Sequence, residues 1–166
     1  MGLDISVYSK ITRIPDESQE DGIFDVSQED YFGTRQDVEP GPYSISENSV
    51  RHSFRAGSYS GYNGWREDLS LSIHGVMPQV IWDNPDQYTG KDFFEIINFS
   101  DCEGCFGPKI SSKLYEDFVR NRDKFISIME EKYTGSYPVI DYRTEVYNNF
   151  MKGFEISKDS GILIFS

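Results

Sequence analysis

The chain has 166 residues, 37% of them hydrophobic and 15% aromatic, and a formal net charge of −12. That length suits one compact domain whose core needs no metal or disulfide support, and the aromatic content argues against a disordered chain. The charge argues against general attraction to nucleic-acid polymers or anionic membranes, so a phosphate compound would have to be held in a locally basic pocket.

No apolar run is long enough to span a membrane, and Met1-Gly2-Leu3-Asp4 carries no basic, apolar signal sequence. Gly2 with Ser6 is only a weak match to a myristoylation motif. Cys102 and Cys105, the two cysteines, are expected as free thiols of a reducing cytosol.

In chain order, Leu3, Ile5 and Val7 alternate with Asp4, Ser6 and Tyr8, the period of a half-buried strand running to Ile14. From Pro15 to Glu47 the chain is acidic: Asp16, Glu17, Glu20, Asp21, Asp25, Glu29, Asp30, Asp37, Glu39 and Glu47 face Arg35 alone as a basic partner. This segment, 16–47, reads as a long acidic loop or flap with a short strand near Ile23-Phe24. It serves as a solvated connection, as a lid, or as a surface that mimics nucleic acid. Next, Val50, His52, Phe54 and Ala56 alternate with Arg51, Ser53 and Arg55, which predicts a strand with its apolar set inward and both arginines outward.

A turn at Gly57 then leads to a helix starting near Tyr62 to Gly64 and carrying Trp65, Leu69 and Ile73. Met77 to Asn84, with Pro78 and Pro85 as breakers, reads as irregular, and Phe93 to Phe99 as a short helix. Gly107-Pro108 opens the clearest helix, through Leu114, Phe118, Phe125 and Met129, which Gly135 to Pro138 breaks. Tyr142, Val146, Phe150 and Phe154 predict a second long helix, and Ile162 to Phe165 a buried strand. The expected fold class is α+β: a single domain over 1–166, its small mixed sheet holding the N- and C-terminal strands against several helices.

Chemistry concentrates in two stretches. Phe54 to Arg66 combines glycines, which allow close approach, with Arg55 and Arg66, whose forks suit phosphate or carboxylate. Tyr59, Tyr62 and Trp65 add flat faces on which a base can stack. The plainer reading of the same residues is an aromatic-rich loop that packs on itself. In the second stretch, Ser100 to Pro108, Cys102 and Cys105 form half of a zinc site that nothing nearby in sequence completes, so no metal and no cofactor are expected. Asp101 and Glu103 suit helix capping, base-edge recognition or acid–base chemistry, and all three stay open. Lys109 and the first amides of the following helix offer a phosphate site. No Ser-His-Asp order, P-loop, GxGxxG or HExxH is present, so a binding protein rather than an enzyme is expected.

Three blocks of the chain resemble a widespread family of small phage and prophage proteins: Met1-Gly-Leu-Asp-Ile5; Phe54 to Asn63 with Trp65-Arg66; and Ile97 to Gly104 with Gly107-Pro108. That family is identified as the one containing the phage anti-CBASS sponges, which sequester cyclic oligonucleotide alarm signals such as cGAMP. Cys105 departs from the family pattern, where an aliphatic residue often stands. The resemblance implies immune evasion in the cytoplasm of the infected bacterial host, by a homo-oligomer, a tetramer, that binds without cleaving. On that reading Tyr59, Tyr62 and Trp65 stack the bases, and Arg55, Arg66 and Lys109 meet the phosphates. Ser58, Asn63, Ser100, Asp101 and Glu103 meet base edges and ribose hydroxyls. The competing classes are a nucleotide-signal hydrolase using His52, His74 or Glu103 as a base, and an acidic interaction protein built on residues 16 to 47.

Overall fold

The computed structural model describes residues 2–15, 24–30 and 33–166. Strands β1 (Gly2–Tyr8), β4 (Arg35–Gln36), β6 (Arg51–Ser58), β7 (Gly104–Phe106) and β8 (Ile162–Phe165) form one sheet in the order β4-β7-β8-β1-β6. The N- and C-terminal strands therefore lie side by side at its centre, antiparallel, with Ile5 opposite Phe165 and Tyr8 opposite Ile162. A smaller sheet, β2-β5-β3, is built from β2 (Ile11–Arg13), β5 (Gly41–Ile45) and β3 (Phe24–Val26). The helices are α1 (Tyr59–His74), α2 (Pro78–Asp83), α3 (Pro85–Tyr88), α4 (Phe94–Ile97), α5 (Pro108–Lys132) and α6 (Tyr137–Ser157). This is the α+β architecture that the periodicities predict, with the terminal strands packed against helices.

Alternation along β1 decides which face of the larger sheet is inward. Leu3, Ile5 and Val7 are buried, and they join Trp65, Phe118, Phe150 and Phe154 from the helices in one core. That core is largely aromatic. Trp65 stacks on Phe150 at 5.1 Å between ring centroids, and Phe125 stacks on Tyr147 at 4.7 Å. The outward face of the sheet is split. At one end Tyr8, Ile162 and Cys105 are covered by Phe24, Val26 and Tyr43 of the small sheet. At the other, Asp4, Ser53 and Arg55 are exposed.

The structure corrects several boundaries. β1 stops at Tyr8 because Lys10 adopts φ 52, and the chain turns there into the small sheet instead of continuing to Ile14. The Ser9 hydroxyl, accepting from the Val50 amide at 2.8 Å, fastens that turn. Within the acidic segment β3 stands where a short strand is expected, but β4 and β5 lie there as well, so the rest is not one long loop. Its residues 16–23, with Asp16, Glu17, Glu20, Asp21 and Ile23, lie outside the described residues. Helix α1 begins at Tyr59, earlier than the expected Tyr62 to Gly64, because the Ser58 hydroxyl caps it by accepting from the Gly61 amide at 3.0 Å. Pro78 starts a helix rather than breaking one, at the first-turn position where its missing N–H costs nothing. β7 is a strand of which the cysteine spacing gives no sign.

Both histidines make the fold sensitive to acid. Burial lowers the pKa of His52 from the ordinary 6.5, and the charge of Lys152 adds to this. Burial also lowers that of His74, against the opposing hydrogen bond to the Asp92 carbonyl. A histidine whose folded-state pKa is depressed takes up its proton more readily when unfolded, so its contribution is complete above the unfolded value and is lost as pH falls below it. Thermal melts are therefore expected to show a falling Tm on the acid side of 6.5. His52→Gln should make that slope shallower; an unchanged slope in this variant would rule His52 out as a source.

Candidate functional site

The stretch from Gly57 to Arg66 is where α1 leaves β6 and packs under α6. A register shift between Leu3 and Asp4 leaves Ala56 as a bulge on β6, and Gly57 follows it at φ 114, a conformation that L side chains rarely adopt. A side chain on Gly57 would run into the Tyr142 hydroxyl, which donates to the Ala56 carbonyl at 2.7 Å. The glycine here admits another helix rather than a ligand.

The same packing corrects several site assignments. Tyr62 and Trp65 are 0% exposed, so neither offers a face for a base. The Trp65 indole N–H donates to the Arg143 carbonyl at 3.2 Å. Arg66 is 4% exposed, its guanidinium lying over the rings of Tyr62 and Trp82 at 5.4 and 5.1 Å. It donates to the Phe99 carbonyl and to Asn63 Oδ1. Asn63 Nδ2 in turn donates to Asp101 Oδ2 at 2.8 Å. Asn63, Arg66 and Asp101 are thus brought together as the sequence suggested, but as a clamp holding the 98–103 loop on α1. Ser100 closes that loop from within, its hydroxyl accepting from the Cys102 and Glu103 amides at 3.3 Å. Ser58 is the α1 cap, and Tyr59 is partly buried against the core.

Lys109 is also reassigned. Its side chain is 90% exposed, and the start of α5 is already occupied by an internal anion: the Lys109 amide donates to Asp37 Oδ2, with Lys109 Nζ 3.9 Å from Asp37 Oδ1. A carboxylate at a helix N-terminus satisfies the free amides that a phosphate would otherwise use.

A cavity of about 280 Å³ opens between the small sheet and the outward face of the larger one. Its apolar lining is Val26, Cys105, Ile162 and Ile164, with Phe165 at the margin, and its polar lining is Asp25, Ser27, Glu29, Thr34, Arg35 and Glu103. Burial raises the pKa of the Cys105 thiol to about 11, so it lines the cavity as a small neutral group. The backbone at this end is closely built: Gly104 sits at φ 127, and a side chain there would strike the Thr34 carbonyl and the Phe99 ring. Arg35 lies directly across from Cys105 in the parallel β4–β7 pair, and its Nη1 donates to the Ser27 carbonyl at 2.7 Å. A second concavity lies between α5 and α6, a shallow groove whose charged lining residues are Glu130, Asp141 and Glu145.

From the cavity the outward face continues across the sheet. Cys105, Ile164, Ser6 and Ser53 form one row through the β7–β8–β1–β6 register, and Asp4 and Arg55 lie opposite each other in the row beyond Ser6 and Ser53. Arg55 lies on the edge strand, exposed, with its guanidinium over Gly2. Among the described residues no hydrogen bond or ion pair engages it. Of the residues singled out in the sequence, Glu103 and Arg55 are therefore the ones placed on this face. Arg35 lines the cavity without being among the residues that the sequence motifs single out, although a solitary arginine in an acidic run is a visible signal.

Comparison of the chain with protein-family models, with curated proteins and with solved structures gives no match.

Proposed function

We propose that the protein binds and sequesters a cyclic oligonucleotide second messenger, such as a cyclic dinucleotide, and returns it uncleaved. The observation that supports this reading best is the cavity between the two sheets. Apolar walls with a few polar groups are the usual make-up of a small-molecule site, and the cavity's volume lies just below the range of roughly 300–1,000 Å³ for such sites. That is room for one base, with the rest of a cyclic ligand lying along the row toward Ser6, Ser53 and Arg55. The cavity residues on β7 and β8 and Arg55 on β6 are separated by two to three strand spacings, ~10–14 Å, a span that a cyclic dinucleotide covers. The resemblance in the three sequence blocks supports the same class of ligand, a homo-oligomeric working unit and a role in immune evasion within the infected bacterium.

The test is a calorimetric panel of cyclic di- and trinucleotides followed by chromatography of ligand released on heat denaturation. At least one ring should bind saturably and be recovered intact. Linear products would replace the sponge with a hydrolase. No binding by any ring would leave the acidic interaction protein as the better reading.

A further inference from the structure

The polar lining of the cavity carries two complementary groups, and together they select among bases. We infer that the cavity takes guanine in preference to adenine or uracil; the inference rests on the sequestration reading and deepens it. Guanine presents two acceptors, O6 and N7, along one edge, and two donors, N1–H and the 2-amino group, along the next. An arginine fork matches the first pair and a carboxylate the second. Arg35 and Glu103 both line the cavity.

Arg35 is preorganised for this. Its Nη1 is committed to the Ser27 and Gln28 carbonyls at 2.7 and 3.4 Å, and its backbone amide donates to Asp30 Oδ1 at 2.9 Å. The strand and loop thus hold it in place, and its other guanidinium nitrogens make no hydrogen bond among the described residues. Glu103 is exposed, lies just ahead of β7, and makes no ion pair among the described residues. Asp25 and Glu29 add further acceptors to the lining. Adenine offers its 6-amino donor where guanine has O6, so it would set a donor against the Arg35 fork. Uracil lacks N7 and the amino group altogether. A site built to pair polar edges rejects a base that leaves those groups unpaired. The acidic lining also disfavours a phosphate inside the cavity, which directs the base inward and the phosphates along the face toward Arg55.

The test changes the ligand as well as the protein. Wild-type protein is titrated with c-di-GMP, c-di-AMP, c-di-UMP and c-di-IMP, the last differing from c-di-GMP only by the missing 2-amino groups. The expected order is c-di-GMP tightest, c-di-IMP about tenfold weaker, and c-di-AMP and c-di-UMP weaker still. In Glu103→Ala the difference between c-di-GMP and c-di-IMP should shrink to about twofold or less, because the carboxylate that reads the amino group is gone. Glu103 is exposed, so this variant folds; a thermal melt checks it. Equal or tighter binding of the adenine or uracil ring overturns the inference while leaving sequestration standing. A c-di-GMP to c-di-IMP difference that persists in Glu103→Ala overturns the assignment of Glu103. Failure of every ring to bind overturns the sequestration reading and the base preference with it.

Discussion

Trp65→Ala is expected to destabilise the free protein by about 3–5 kcal/mol, among the largest costs of any single truncation. Trp65 is wholly buried and stacks between Phe118 at 6.4 Å and Phe150 at 5.1 Å, with Phe125 edge-on at 6.4 Å. Truncation removes the transfer free energy of the indole and leaves a cavity whose walls are large rings from α5 and α6, which cannot collapse inward without leaving their own stacks. It also removes the hydrogen bond from the indole N–H to the Arg143 carbonyl. Trp65→Phe should recover most of the packing but not that hydrogen bond. Urea unfolding of the variants measures the effect. A Trp65→Ala midpoint close to wild type, with lost ligand binding, would return Trp65 to the binding face and contradict its burial.

Arg55→Ala is expected to show the opposite pattern. The guanidinium is exposed on the edge strand and held by no described partner, so its loss should leave stability within about 0.5 kcal/mol of wild type. The protein carries a formal net charge of −12, so a phosphate on the outward face must be met by local charge such as that of Arg55. A charge-assisted contact is stronger than a neutral hydrogen bond, and removing one typically loses roughly 1.5–3 kcal/mol, about ten- to a hundredfold in affinity. Arg55→Lys should recover only part of this, because a point charge does not reproduce the fork. Calorimetric titration and a melt on the same sample separate the outcomes. Unchanged affinity in a well-folded Arg55→Ala protein would remove Arg55 from the site.

These two residues show what the sequence could and could not reveal. Alternation through Arg51 to Ala56 gives the face of Arg55 correctly, because a strand has a strict period of two. The i, i+4 recurrence of Tyr142, Val146, Phe150 and Phe154 likewise gives the buried side of α6. Trp65 and Tyr62 read equally well as binding faces or as core, and only tertiary packing distinguishes the two. Burial was decided by Gly57, Gly61 and Gly64, where side chains would meet Tyr142 or Arg143 across the α1–α6 contact. That partner lies some eighty residues further along the chain, as in the 82-residue separation of the Gly61–Arg143 hydrogen bond. The Lys109 site failed for a similar reason: Asp37 reaches the α5 N-terminus from 72 residues away. The cavity is still less legible. β3 and β4 are three and two residues long, too short for a period to show, and the polar lining joins Arg35 to Glu103 across a parallel pairing.

Amide chemical-shift mapping during titration with c-di-GMP tests whether a cyclic oligonucleotide sits in the inter-sheet cavity and along the outward face of the larger sheet, as proposed. The largest shifts are expected at Ser27, Thr34, Arg35, Glu103 to Cys105 and Ile164, with smaller ones at Ser6, Ser53 and Arg55. Largest shifts at Glu130, Asp141 and Glu145 in the α5–α6 groove, or along the 98–101 clamp with the cavity unmoved, would contradict that placement.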